Sequence, residues 1–160
     1  MGNGDIDLRI AAIAAAHHGV FTTADVTAAG GDPSLISRRV KASRWIRVAP
    51  RVYVIAGSAA TWERAVSVAV HRTGPEAAAS HRTAAHLHGL YGRPRQIEVV
   101  TTRTGRRGVP FILHQCLDLT GDEIVVVNGI RTTDVARTIT DIGVPAGIAV
   151  AQRVLDGAVR

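Results

Sequence analysis

Residues 32–55 of the chain, DPSLISRRVKASRWIRVAPRVYVI, contain a helix signal followed directly by a hairpin signal. Asp32 is suited to cap a helix, and Pro33 suits the first helical position, where its missing N–H costs nothing. Beyond that helix the apolar residues alternate with polar ones, and Pro50-Arg51 interrupts the alternation. This pattern predicts two short strands joined by a turn.

The helix predicted from Pro33 has one apolar side and one polar side. Projected at about 100° per residue, Leu35, Ile36 and Val40 share the apolar side. Such a helix packs its apolar side inward and presents hydrogen-bond donors to phosphates and base edges in a DNA major groove. Near the helix N-terminus, the dipole would also attract a phosphate. The polar side carries Ser34, Ser37, Arg38 and Lys41.

Two further helices are predicted before this one. Apolar residues recur at helical spacing over residues 6–16, and Gly19 after His17-His18 ends that helix. Thr22 or Thr23 can cap a short second helix that runs to Ala29. Helix, short helix, recognition helix and basic hairpin is the order of a winged helix-turn-helix domain.

Basic residues are concentrated in the helix and hairpin. The whole chain has 19 Lys and Arg against 13 Asp and Glu, a net charge of +6, but residues 33–58 contain six basic residues and no acidic one. The alternative is that these charges only solvate an exposed face; the absence of acids favours nucleic acid. The predicted DNA-binding residues are Thr23, Ser34, Ser37, Arg38, Arg39, Lys41, Arg44, Arg47 and Arg51.

The composition predicts a folded chain of class α+β. Hydrophobic residues make up 46% and aromatic residues 4%, which excludes a disordered basic tail and disfavours recognition of single strands by base stacking. Small residues after Ala56 predict a boundary between residues 1–57, the winged helix-turn-helix, and residues 58–160, a small mixed α+β domain.

In the second predicted domain, helices are expected over residues 62–71, 76–87 and 146–159. Strands are expected over residues 97–101, 111–114, 124–127 and 130–132, with Asn128-Gly129 as a hairpin turn. Asp134 is expected to cap a helix that carries Arg137 and Asp141, which are expected to form an exposed i,i+4 pair.

No catalytic residue, cofactor or metal site is predicted, and the chain is expected not to be an enzyme. His81, His86 and His88 cannot face one ion from a single helix, and Cys116 is the single cysteine. No serine elbow, phosphate loop or paired-carboxylate nuclease motif occurs. The sequence also shows no secretory signal and no membrane span, and a cytoplasmic location is expected.

A second basic cluster surrounds the loop at residues 104–108. It could extend the DNA footprint, dock an acidic surface of a protein partner, or be a solvated hairpin tip, and the sequence does not decide among the three. Its residues are Arg93, Arg95, Arg103, Arg106 and Arg107.

Several segments together resemble the AbiEi-family antitoxins of type IV toxin–antitoxin systems. IAAIAAAHHGVFT at residues 10–22, ISRRV at residues 36–40 and WIRVAPRVYV at residues 45–54 resemble the N-terminal domain. ASHRTAAHLHGL at residues 79–90 and GIRTTDVARTITDI at residues 129–142 resemble the antitoxin domain that follows. Arg51 stands where the family often has glycine.

The resemblance implies a winged helix that binds double-stranded DNA at its own promoter and represses its operon. It also implies a second domain that counters a nucleotidyltransferase toxin. Two alternatives remain open: the DNA-targeting part of a Vsr-like nuclease whose catalytic domain is absent from this chain, and an adaptor whose basic surfaces bind only protein.

Overall fold

The computed structural model describes residues 3–103 and 108–146. The chain divides into two compact units, Met1–Arg72 and Thr73–Arg160. Both units mix helices and strands, so the fold is of class α+β as predicted. No helix in the described ranges is long and apolar enough to cross a membrane.

The first unit is built from three helices, a three-stranded sheet and a fourth helix. The antiparallel sheet has the strand order β1-β3-β2. The helix–strand–helix–helix–hairpin order confirms the predicted winged helix-turn-helix, with β1 as an element that the sequence did not predict. The elements are α1 (Asn3–Ala16), β1 (Val20–Thr22), α2 (Thr23–Ala28), α3 (Pro33–Lys41), β2 (Trp45–Ala49), β3 (Val52–Ile55) and α4 (Trp62–Thr73).

Side-chain caps determine where α2 and α3 begin. The Thr22 hydroxyl accepts a hydrogen bond from the Asp25 amide at 3.3 Å, and the Asp25 carboxylate accepts one from the Thr22 amide at 2.6 Å. This reciprocal capping box fixes the start of α2. Asp32 accepts a hydrogen bond from the Leu35 amide at 2.6 Å, and Pro33 is the first residue of α3. The predicted cap of α3 is therefore confirmed.

The core of the first unit lies between the helices and one face of the sheet. The Phe21 ring packs edge-on against Trp45, with ring centroids 4.9 Å apart, and stacks on Tyr53 at 5.8 Å. Ile10 and Leu35 are buried against this aromatic group. These contacts bring α1, α3 and the sheet together and fix which side of α3 faces solvent.

The helix α4 covers a second apolar cluster on the sheet, which explains where the first unit ends. Val68 packs against Val20, Val52 and their buried neighbours. The Ser67 hydroxyl donates a hydrogen bond to the His17 carbonyl at 3.2 Å. The predicted domain boundary followed Gly57, whereas the compact unit extends to Arg72 because α4 buries its apolar face on this sheet.

The second unit contains a five-stranded mixed sheet with the strand order β6-β5-β4-β8-β7. The pairs β4–β8 and β5–β6 are parallel, and the others are antiparallel. A 3₁₀ turn at Gly121–Glu123 precedes β7. The elements are β4 (Ala78–Ala79), α5 (His81–Leu87), β5 (Glu98–Thr101), β6 (Ile112–Gln115), β7 (Ile124–Val127), β8 (Ile130–Thr133) and α6 (Val135–Ala146).

The predicted helix over residues 76–87 is wrong in its first half. Ala78 and Ala79 form the short strand β4, paired with both β5 and β8, and the helix starts only at His81. Alanine favours helices, but these two side chains are completely buried at the centre of the sheet. Strand pairing therefore outweighs the local helix preference.

Other predictions for the second unit are confirmed, with one correction. Asn128 and Gly129 have φ values of 48° and 75°, as a tight hairpin turn requires. Asp134 caps α6 by accepting a hydrogen bond from the Arg137 amide at 2.7 Å. Arg137 also pairs with Asp141 at 2.8 Å, but their side chains are only 13% and 9% exposed, so the pair is not a surface pair. The helix expected over residues 146–159 lies beyond the last described residue.

Candidate nucleic-acid interface

The polar side of α3 faces solvent. Leu35 and Ile36 on the opposite side are 1% and 8% exposed because they pack into the core of the first unit. Val40, which the sequence placed on the apolar side, is 36% exposed. All four residues predicted for the polar side are exposed: Ser34, Ser37, Arg38 and Lys41.

Hydrogen bonds along α3 order part of this polar side. The Arg38 guanidinium donates to the Ser34 hydroxyl at 2.9 Å, and that hydroxyl donates to Asp32 at 2.8 Å. The Ser37 hydroxyl bonds the Pro33 carbonyl at 3.1 Å. Arg38 is thereby held along the helix toward its N-terminus, where recognition helices present side chains to base edges.

Asp32 changes the electrostatics at the start of α3. The backbone hydrogen bond from Leu35 and the hydroxyl of Ser34 lower the pKa of Asp32 below its ordinary value. The carboxylate is therefore ionised at neutral pH and offsets the positive end of the helix dipole. The helix N-terminus therefore attracts an anion less strongly than one without an acidic cap.

Arg39 has a structural partner instead of facing solvent. Its guanidinium donates two hydrogen bonds to Asp7 on α1, at 2.9 and 2.8 Å. The two side chains are 16% and 18% exposed, and the hydrogen bonds raise the pKa of Arg39. Because the two residues are far apart in the chain, this pair could not be predicted from the sequence. Arg39 therefore joins α3 to α1 rather than extending the polar side.

The hairpin carries three exposed cations next to α3. Arg44 precedes β2 and lies 3.4 Å from Asp7, but its side chain is 59% exposed. Arg47 on β2 and Arg51 at the hairpin tip are also exposed. With Arg38 and Lys41, these residues give the first unit five exposed cations over the helix and hairpin.

The hairpin tip lies beside the start of α2. Thr22 on β1 pairs with Val52, the first residue of β3, so only Pro50 and Arg51 extend past the paired strands. The Thr23 amide donates a hydrogen bond to the Arg51 carbonyl at 3.0 Å. The structure thus brings Thr23 and Arg51 together, two residues that the sequence proposed separately as DNA contacts.

The structure describes three of the five arginines of the second basic cluster. Arg93 and Arg95 are exposed. Arg103 is paired with Glu76, at 2.8 Å from its Nε and 3.0 Å from its Nη2. Arg106 and Arg107 lie outside the described residues. Among the residues that the structure describes, the cluster therefore has three exposed cations, of which Arg103, 70% exposed, is partly neutralised by Glu76.

The three histidines first considered for a metal lie in different surroundings. His86 Nδ1 is 3.0 Å from the Tyr91 carbonyl, and His88 Nε2 is 2.8 Å from the Thr133 carbonyl. His81 is buried, and burial lowers its pKa to about 4, so its ring is uncharged at neutral pH. These three side chains do not form one site.

The first unit is a winged helix-turn-helix domain with exposed cations on α3 and the hairpin. Residues 8–56, which run from α1 through β3, match the family model described as transcriptional regulator, AbiEi antitoxin. That segment is therefore similar to this family of antitoxin regulators. No curated protein matches the chain.

Proposed function

We propose that the chain binds the promoter of its own operon through α3 and represses transcription, and that its second unit neutralises a nucleotidyltransferase toxin. The DNA-binding proposal rests on the difference between the two sides of α3. Its apolar side is buried in the core, while its hydroxyl, guanidinium and ammonium groups face solvent. The family match over residues 8–56 supports the same regulatory role.

In this proposal α3 enters the major groove of duplex DNA. Arg38 and Ser34 are held along one side of the helix and read base edges, while Lys41 meets the backbone. Arg44, Arg47 and Arg51 contact phosphates that flank the groove. These contacts position the protein over the promoter, where it excludes RNA polymerase. Repression of this kind requires no catalysis.

The DNA contacts are testable by the salt dependence of binding to the promoter fragment. The four cations assigned to phosphates predict that log K falls with log salt at a slope of about −3.6, at about −0.9 per phosphate contact. Replacing both Arg38 and Lys41 by Ala weakens binding, and the loss of the Lys41 phosphate contact reduces the slope by about 0.9. Fluorescence anisotropy with labelled promoter DNA measures both quantities.

Arg9→Ala is the matched control, since it also removes one positive charge from the first unit. Arg9 is on α1 and pairs with Asp5 at 3.1 Å, away from the polar side of α3. We expect this variant to bind promoter DNA as the unmodified protein does. Equal loss of affinity in the Arg9 and Arg38 variants would mean that only net charge matters and would refute the proposed interface.

The antitoxin role is tested by co-expression with the neighbouring gene of the operon. The neighbouring gene product should arrest growth alone and be tolerated with this chain. The Arg38→Ala, Lys41→Ala double variant should still protect, because the proposed toxin-countering surface is on the second unit. Loss of protection with intact DNA binding would contradict this division of roles.

A further inference from the structure

Two imidazoles and one carboxylate converge in the second unit from three different elements. Glu98 and His114 lie on the parallel strands β5 and β6, whose register pairs Glu98 with Ile112 and Val100 with His114. Because side chains alternate along a strand, this register places Glu98 and His114 on the same face of the sheet. His81, at the start of α5, completes the group, and ligand atoms of all three lie within 4.8 Å of one another.

Two atoms that can bind a metal, one on His114 and one on Glu98, already lie close together. His114 Nε2 is 3.0 Å from Glu98 Oε2, close to the separation of about 3.3 Å between two ligand atoms of a tetrahedral zinc ion. The His81 and His114 rings are stacked, with centroids 3.7 Å apart. Because a coordinated ion lies in the plane of each imidazole, one of the two rings must rotate out of this stack before both can bind the same ion.

Outer contacts hold His81 and Glu98, two of the three side chains, as metal ligands are usually held. Ser80 Oγ is 3.1 Å from His81 Nδ1, which leaves Nε2 of that ring as the atom available for coordination. Arg82 lies 3.0 Å from Glu98 Oε1, the oxygen that does not face His114. Hydrogen bonds to the second nitrogen of a histidine and to the second oxygen of a carboxylate are characteristic of metal sites.

A cavity adjoins the group. Its volume is about 380 Å³, and its lining includes His81, His114, Cys116 and Asp141. The side chain of Asp141 is 9% exposed, and its Oδ2 has no hydrogen-bond partner among the described residues. A buried carboxylate oxygen without a partner is costly in a folded protein. Polar side chains therefore line the space next to His81 and His114.

The backbone conformation of His81 is a second unusual feature of the residues around this cavity. His81 has a φ of 49°, in the left-handed region that side chains other than glycine rarely adopt. Such strain persists where the surrounding structure requires it, and it concentrates at binding sites. Here the strained residue is the one whose ring stacks on His114.

We propose that His81, Glu98 and His114 bind one divalent transition-metal ion, best matched by Zn²⁺, with one coordination position open to the adjoining cavity. Two imidazoles and one carboxylate form a borderline nitrogen and oxygen donor set that suits zinc better than magnesium or calcium, which prefer oxygen ligands. Three protein ligands beside a cavity are typical of zinc sites that accept a further ligand. The sequence predicts no metal site because His86 and His88, the histidines that follow His81 in its own segment, cannot share an ion with it, whereas the partners found here come from β5 and β6.

The ion pairs already present do not account for the whole arrangement. Arg82 and His114 each engage one oxygen of Glu98, so the buried carboxylate needs no third partner. Neither contact involves the His81 ring. An ion bound by all three side chains would give this strained residue a role in the group.

Zinc binding to the full chain tests the proposal. The protein is first stripped with EDTA, and Zn²⁺ is then titrated in competition with a fluorescent chelator. We expect one equivalent to bind, and His114→Ala to lower the affinity at least about 100-fold. Co²⁺ provides a second readout, since four-coordinate Co²⁺ bound to the unmodified protein should give strong visible absorption bands that the variant lacks.

The matched control is His18→Asn, which removes one imidazole from the first unit. His18 has a φ of 58°, a conformation that asparagine tolerates. This variant should bind zinc as the unmodified protein does. His114 is a hydrogen-bond partner of the buried Glu98, so its replacement is expected to lower the melting temperature of the metal-free protein, and the circular dichroism spectrum of the variant checks that it remains folded. The proposal is overturned if no stoichiometric site exists, or if the His114 and His18 variants bind zinc equally well.

Discussion

At the tip of the hairpin, a single substitution of Arg51 is expected both to raise the stability of the first unit and to lower its affinity for DNA. Arg51 has a φ of 63° and follows Pro50 in a two-residue turn between the paired residues Ala49 and Val52. A positive φ at this place in a turn after proline is the type II pattern, which favours glycine. Arg51 thus carries a strained backbone together with an exposed charge.

The backbone angle of Arg51 gives the size of the change in unfolding free energy expected for Arg51→Gly. A residue other than glycine pays about 1–2 kcal/mol in the left-handed region, and glycine in place of arginine costs about 0.5–1 kcal/mol through the flexibility of the unfolded chain. Arg51→Gly should therefore raise the unfolding free energy by about 0.5–1 kcal/mol. For a unit of this size, the melting temperature should rise by about 2–6 °C.

Arg51→Ala separates the two effects, since alanine removes the charge and keeps the strain. Both variants should reduce the salt slope of promoter binding by about 0.9, the loss of one phosphate contact. Only the glycine variant should melt at a higher temperature in differential scanning calorimetry. The reasoning fails if the two variants melt alike, or if either one binds promoter DNA with an unchanged salt slope.

Three further substitutions test contacts that hold the first unit together. Arg39→Ala should lower the unfolding free energy by about 1–3 kcal/mol, because it leaves the mostly buried Asp7 without its two-bond partner. Arg44→Ala should lower it by less than about 1 kcal/mol, since that side chain is largely exposed; equal losses in urea unfolding would contradict this ranking. Gly19→Ala should cost at least about 2 kcal/mol, because the added Cβ would lie 2.6 Å from Ser58 at a φ of +85°, and a melting temperature unchanged from the parent would disprove the clash.

The parts of the fold that the sequence predicted are those set by contacts between near neighbours. The cap at Asp32 and the hairpin turn at Asn128-Gly129 each involve residues within three positions of one another. Their chemistry is therefore visible in the sequence itself. The buried side of α3 was also predictable, because helical spacing alone separates Leu35 from Ser34.

The strands that the sequence missed depend on partners far away in the chain. The strand β1 is three residues long and is a strand because Phe21 pairs with Tyr53. The strand β4 is two alanines long and is held between β5 and β8. Neither segment is long enough to show an alternating pattern. The strands β1 and β4 were missed mainly because they are short, and not only because alanine favours helices.

Distant partners also decide which of the basic residues can meet DNA. Arg38 and Arg39 are adjacent in the sequence and chemically identical, and composition assigns them the same role. Their partners differ. The Asp7 carboxylate on α1 accepts two hydrogen bonds from Arg39, whereas Arg38 lies on the exposed polar side of α3. If charge density alone determined DNA binding, the two arginines would contribute equally. Because they differ in partner, the Arg39→Ala variant should lose stability, whereas the Arg38→Ala variant should lose DNA affinity.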